Sequence, residues 1–136
     1  EFVNHCIENL SNQIRINPNS RHEKIIDLMK EEVVVGYYFP CMLEYSFKAA
    51  IESINNFPNN FLLAGGFDTC AAFIGSPNLL LKKKRYPPLL WMTGLQGDNE
   101  NVGYHMEAYG YNLTFNRRSH LGKAAEYWGH SLVIIE

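Results

Sequence analysis

The stretch that says most about the fold is Trp128-Gly129-His130-Ser131-Leu132-Val133-Ile134-Ile135. Its second half is aliphatic and mostly β-branched, which is typical of a buried strand. We therefore predict a strand over residues 131–135, with His130 at its entry. Working outward, similar patterns predict strands over 33–39, which Pro40 should end, and over 61–64 and 88–92. The aromatic stretch 103–115 alternates like a strand or a hairpin.

Helical spacing of apolar residues dominates the first part of the sequence. It predicts a helix over 4–16, a second that starts at a capping box of Ser20 and Glu23 and runs to Glu31, and a third over 42–55. Shorter helices are predicted over 68–74, after a cap at Asp68 and Thr69, and from Ser119 to Trp128. Helices first, then strands mixed with short helices, favour the α+β class, with N-terminal helices packed on a small, mainly antiparallel sheet.

Length and composition narrow the class of protein. The chain has 136 residues, which fits one domain over 1–136, or one truncated at one or both ends. Hydrophobic residues make up 46% and charged residues 19%, which argues against a disordered or a membrane chain. The net charge of −2 gives no general attraction to nucleic acid, so we expect neither a membrane nor a nucleic-acid partner.

The cysteine count bears on the compartment and on metal binding. Three cysteines, Cys6, Cys41 and Cys70, form no paired spacing, which argues against a disulfide framework and for a reducing, cytoplasmic location. No CxxC motif occurs, and no two of the five histidines stand at a helical metal-ligand spacing. We therefore expect no metal and no cofactor.

Cys6 is the first candidate nucleophile. It lies at the start of a predicted helix, where unsatisfied backbone N–H groups stabilise a thiolate. His5 and Glu8 would shift the pKa of the thiol in opposite directions. The alternative is a buried cysteine that packs as a small hydrophobe. Cys41 also begins a predicted helix and ranks below Cys6, and Cys70 is interpreted as packing.

His130 is the first candidate base, because an imidazole at the start of a strand can face a nucleophile on a neighbouring element. His105 is the rival, with Asn112 or Asp98 as the group that orients its ring. Each of these residues also has a structural interpretation, as a half-buried polar side chain in an aromatic-rich sheet.

Three segments together resemble the papain-like cysteine enzymes of the bacteriocin-processing peptidase and butirosin-acyltransferase type. These are Asn4-His5-Cys6, the proline-led Pro87-Pro88-Leu89-Leu90-Trp91-Met92, and Gly129-His130-Ser131-Leu132-Val133. The resemblance implies acyl-enzyme chemistry on Cys6 with His130 as base, and a peptide or an acyl carrier as substrate. Relatives of that type continue with Gly-Tyr-Asp after the strand, and the sequence to Glu136 holds no such acid.

Other segments resemble the boxes of tyrosine recombinases: Leu90-Trp91-Met92-Thr93-Gly94-Leu95-Gln96, His105, and Trp128-Gly129-His130-Ser131. Gln96 and Ala108 stand where those enzymes require arginines, so the resemblance implies at most a degenerate, DNA-associated domain. A non-catalytic protein-interaction or ligand-binding module is therefore the alternative to a cysteine hydrolase or acyltransferase. Aromatic density over 104–115, with Trp91 and Trp128, favours that alternative.

Overall fold

The computed structural model describes residues 13–80, 89–109 and 112–136. Within these ranges the chain is of the α+β class, as predicted, with three α-helices and a mainly antiparallel sheet. The elements in chain order are β1 (Arg15–Ile16), α1 (Glu23–Glu31), β2 (Gly36–Leu43), α2 (Phe47–Ser53) followed by a 3-10 turn (Ile54–Asn56), β3 (Phe61–Leu63), α3 (Gly66–Gly75), β4 (Leu89–Trp91), β5 (Leu95–Gln96), β6 (Val102–Tyr109), β7 (Asn112–Ser119) and β8 (Trp128–Ile135).

Strand β8 is the centre of a six-stranded sheet. Strand β2 pairs antiparallel along one edge of β8. Two short strands share the other edge: β4 runs parallel to residues 128–130, and β3 runs antiparallel to residues 132–134. Their carboxyl ends therefore meet beside Ser131, whose carbonyl accepts a hydrogen bond from the Ala64 N–H at 2.9 Å. The β6–β7 hairpin extends the sheet outward from β4.

The two faces of the sheet carry separate apolar layers, because successive residues of β8 point to opposite sides. Val133 and Ile135 pack with Ile25 of α1 and with Leu62. Leu132 packs on the other face, in a cluster with Met42, Ala50, Ile54 and Leu63 beneath α2. Helices α1 and α3 thus lie on one face and α2 on the other.

The first predicted helix is not confirmed. Residues 4–12 lie outside the described part of the chain, and Arg15–Ile16, which the prediction placed in that helix, form a short strand against Leu95–Gln96. The capping box at Ser20 is also not formed. Ser20 Oγ donates to the Asn17 carbonyl at 2.6 Å, and His22 is the residue that precedes α1.

The prediction that Pro40 ends a strand and that Cys41 begins a helix is wrong. Strand β2 continues through Pro40 to Leu43, with a register shift between Pro40 and Met42. Proline is tolerated in an edge strand or at a bulge, where its missing N–H costs no ladder hydrogen bond. Helix α2 starts only at Phe47, where Ser46 Oγ accepts from the Ala49 N–H at 3.1 Å.

The region from Ser119 to Trp128 also differs from its prediction. Ser119 ends β7 instead of capping a helix, and the chain then turns through Leu121 and Gly122, both with positive φ. Left-handed backbone of this kind interrupts a right-handed helix. Strand β8 begins at Trp128, so His130 lies within the strand and not at its entry. The hairpin interpretation of 103–115 is the one observed.

None of the helices in the described ranges is long and apolar enough to cross a membrane.

Candidate functional site

The two candidate histidines lie on the same face of the sheet, one on each side of Trp91. In the register of the strands, Trp91 of β4 is the partner of His105 in β6 and of His130 in β8. Side chains at paired positions point to the same face. Because neighbouring strands are about 4.8 Å apart, the Cα atoms of the two histidines are about 10 Å apart. The sheet therefore brings together two residues that the sequence separates.

Aromatic packing adds a third histidine and defines the site. The Trp91 indole meets the His105 ring edge-on, with centroids 5.0 Å apart, and the Trp128 indole at the same separation. Phe47 of α2 stacks on His120 with centroids 4.2 Å apart. We call this set the histidine cluster: His105, His120, His130, Trp91, Trp128 and Phe47.

Both ring nitrogens of His130 are engaged. Nε2 lies 3.0 Å from the Tyr45 carbonyl oxygen, and Nδ1 lies 2.6 Å from Thr93 Oγ1. A carbonyl can only accept, so Nε2 carries the proton and Nδ1 accepts from the Thr93 hydroxyl. Burial, opposed by the hydrogen bond to the Tyr45 carbonyl and aided by the nearby His120, lowers the pKa of His130 to about 4. His130 is therefore a neutral, fully bonded histidine that holds β8 to the segments after β2 and β4.

His105 has a different environment. It is 2% exposed, and burial, with a smaller contribution from Arg118, lowers its pKa to about 4. Its Nδ1 has no hydrogen-bond partner among the residues described. His105 is therefore neutral at pH 7. Its Nδ1 forms no hydrogen bond within the described part of the protein, whereas both ring nitrogens of His130 are hydrogen-bonded.

Asn112, the proposed orienting amide, does not lie beside His105. It begins β7 and pairs with Tyr109, whereas the cross-strand partner of His105 is Asn116. Four strand positions separate the two asparagines, which is about 13 Å. The amide nitrogen of Asn116 donates to Thr114 Oγ1 at 2.9 Å. Sequence reasoning missed Asn116, although counting outward from the Tyr109–Asn112 pair gives it.

Asp98, the other orienting group considered, is exposed and forms an ion pair with Arg117 at 2.5 Å. The Arg117 guanidinium holds the pKa of that carboxyl below its usual range. The hydrogen-bond partner of the Asp98 carboxylate is therefore Arg117.

Several other nitrogens of the histidine cluster are buried without a hydrogen-bond partner in the ranges that the structure describes. These are Nε1 of Trp91, Nε1 of Trp128 and both ring nitrogens of His120. An unpaired buried polar group costs about 1–3 kcal/mol. The cluster thus presents a group of hydrogen-bonding atoms that the described core leaves unused.

The structure describes two of the three cysteines. Cys6, with His5 and Glu8, lies outside the described residues. Cys41 in β2 and Cys70 in α3 are exposed free cysteines. Partial burial raises the pKa of both thiols, and the Asp68 carboxylate raises that of Cys70 further. Neither of these two is an activated thiolate.

The described residues include no group of three or more histidine, cysteine, aspartate or glutamate side chains that could hold a metal ion.

A second buried polar pair, His22 and Asp68, was not found from the sequence. His22 lies against two glycines: a Cβ atom added to Gly65 would be 2.1 Å from its Nε2, and one added to Gly94 would be 2.8 Å from its Cγ. The Gly65 N–H donates to both Asp68 carboxylate oxygens at 3.0 Å. Burial lowers the pKa of His22 and raises that of Asp68. Glycines at 65 and 94 were the only sequence signal for this close packing.

Comparisons of the chain with protein-family models, with curated proteins and with solved structures give no match. Any functional assignment therefore rests on the residues and their geometry.

Proposed function

We propose that the protein is a thiol-dependent acyltransferase or amide hydrolase of papain-like arrangement, with Cys6 as nucleophile and His105 as base. The observation that carries the choice of base is the Nδ1 atom of His105, which has no hydrogen-bond partner among the described residues. The substrate class is a peptide or an acyl-carrier thioester, and the location we propose is the cytoplasm.

His105 is preferred to His130 on hydrogen bonding. To accept a proton, His130 would have to give up the bond from Thr93 Oγ1 to its Nδ1, because its Nε2 already donates to the Tyr45 carbonyl. His105 has no such competing bond at Nδ1 in the described structure. His130 then serves to hold the strands of the site in register, and Asn116 is the amide placed to orient the His105 ring.

The proposed chemistry requires the neutral imidazole of His105 and the thiol of Cys6 to meet in the site. Nδ1 of His105 takes the Cys6 proton, and the thiolate attacks the carbonyl carbon of the substrate. The imidazolium then protonates the departing amine or thiol, and water or an acceptor nucleophile resolves the acyl-enzyme. Because burial holds the pKa of His105 to about 4, the imidazolium needs the adjacent thiolate charge to stabilise it.

The experiment is a pH profile of alkylation, with the three cysteines quantified separately by mass spectrometry. We expect Cys6 to react well below the ordinary thiol pKa of about 8.5, and Cys41 and Cys70 only near or above it. His105→Ala should move the Cys6 profile upward, whereas His130→Ala in a folded protein should leave it in place. An ordinary Cys6 profile in the wild-type protein would end the enzyme proposal.

A second function, a ligand-binding module, is favoured by one observation on the other face of the sheet. Three large apolar side chains there are substantially exposed and surround one cavity: Met29, Val33 and Phe67. Exposed apolar patches of this kind mark binding surfaces. Loss of the Cys6 reactivity proposed above would leave this module as the better description.

A further inference from the structure

A cavity of about 480 Å³ opens between α1, the first half of β2 and α3. Val133 of β8 forms part of its floor, and His130 points to the opposite face because the two positions differ by an odd number of residues. The cavity is therefore separate from the histidine cluster. Its volume falls in the range of roughly 300–1,000 Å³ that small-molecule sites occupy.

The mouth of this cavity is apolar and open to solvent. Phe67, the second residue of α3, is 64% exposed. Met29 of α1 and Val33 are also exposed and line the same cavity. Side chains of this size are usually buried, and their grouping around one opening gives a ligand with an apolar body a surface to cover.

The polar groups of the cavity are acidic. The residues that line it include Asp68, Glu32 and Tyr38, and the lining in the described part of the chain holds no lysine or arginine. The Tyr38 hydroxyl lies 3.2 Å from Thr69 Oγ1. The positive end of the α3 dipole amounts to about half a charge, which is less than the full charge of the Asp68 carboxylate. A bound anion would meet repulsion here, and a bound cation would be attracted.

The partner of Asp68 inside the protein does not supply that positive charge. His22 interacts electrostatically with Asp68, but burial lowers the pKa of His22 below its usual value, so it is neutral at pH 7. The Asp68 carboxylate is held by the Gly65 N–H and keeps its full negative charge when ionised. An ammonium group that enters the cavity loses part of its hydration, and attraction to the carboxylate in this half-buried setting offsets that cost.

We propose that this cavity binds a small organic cation, an ammonium group carried on an aryl or alkyl body. The ammonium pairs with Asp68 at the N-terminal end of α3, and the apolar body lies between Met29, Phe67 and Ala72. The Phe67 ring adds a cation–π contribution at the mouth. The cavity and His105 lie on opposite faces of the sheet, and nothing in this proposal depends on the reactivity of Cys6.

The test measures binding to the full chain of three probes that share a phenethyl body: phenethylamine, 2-phenylethanol and 3-phenylpropionate. Amide shifts in two-dimensional NMR titrations give both the affinity and the location. We expect phenethylamine to bind at least tenfold more tightly than the alcohol, and the carboxylate to bind more weakly still. The shifts should centre on α3 and the first half of β2.

Two variants separate the charge from the cavity. Asp68→Asn should remove the preference for the amine, and Asp27→Asn, which deletes an exposed carboxylate of α1 outside the cavity, should keep it. Ala72→Phe should fill the cavity and abolish binding. Ile74→Phe, on the exposed side of the same helix, should leave binding intact.

Equal affinity for the amine and the alcohol would overturn the proposal. So would shifts centred on the histidine cluster, or amine binding that survives Ala72→Phe. If Asp68→Asn unfolds the protein because Asp68 caps α3, the Ala72→Phe and Ile74→Phe pair still decides the outcome with the carboxylate in place.

Discussion

The close approach of Gly65 to His22 makes a quantitative prediction about stability. A Cβ atom at position 65 would lie 2.1 Å from Nε2, 2.4 Å from Cε1 and 2.7 Å from Cδ2 of the His22 ring. The ring is buried, so it cannot swing into solvent. Overpacking a core costs about 1–3 kcal/mol, and three contacts below 3 Å place Gly65→Ala at the upper end, about 3 kcal/mol.

Urea unfolding measures this cost, and Gly75→Ala is the matched control. Gly75 ends the same helix, and nothing lies within 4 Å of a Cβ atom built there, so its replacement should change stability by less than about 1 kcal/mol. In a His22→Ala background the clash disappears, so Gly65→Ala should cost far less than it does in the wild-type protein. A Gly65→Ala protein as stable as the wild type, or a cost unchanged by His22→Ala, would refute the packing described here.

Three further predictions concern buried and titratable groups. Thr93→Val removes the hydroxyl that donates to His130 Nδ1 and should destabilise the protein by about 1–3 kcal/mol in urea, whereas Thr93→Ser should restore most of the loss. With a pKa of about 4 in the folded state against about 6.5 unfolded, neutral His130 contributes stability that is complete above pH 6.5 and declines as the pH falls toward 4. The loss is about 3 kcal/mol, and a folded His130→Gln protein should show a shallower decline in urea midpoints between those pH values. Asp68→Asn should lower the pKa of Cys70 and speed its alkylation at pH 8 while leaving Cys41 unchanged, and equal rates in variant and wild type would contradict the role given to the carboxylate.

Local patterns in the sequence were enough to predict several elements. The apolar spacing before Glu31 predicts α1, although the predicted capping box does not form, and the aliphatic run after Ser131 predicts most of β8. The extent of β2 was not predictable in the same way. Pro40 ends most strands, and it is tolerated here because β2 lies at the edge of the sheet beside a bulge, which is a property of the tertiary fold.

The candidate site depends on strand order, which the sequence does not state. His105 and His130 come together only because β4 lies between β6 and β8, parallel to one and antiparallel to the other. The pairing of His105 with Asn116 follows from the hairpin register alone. It could have been predicted by counting residues outward from the turn. His22, which precedes α1, and Asp68 of α3 are far apart in the sequence. No local sequence pattern predicts that they lie close together.

The sharing of one edge of β8 by β3 and β4 has a consequence for the order of folding. Among the described strands, β2 and β3 pair only with β8, whereas β4 pairs with both β8 and β6. A nascent chain can form α1 and the β4–β6–β7 ladder, but it cannot add β2 and β3 to the sheet until β8 has left the ribosome. Until then the apolar side chains of β2 and β3 lack their partner strand, and this region is open to capture by chaperones.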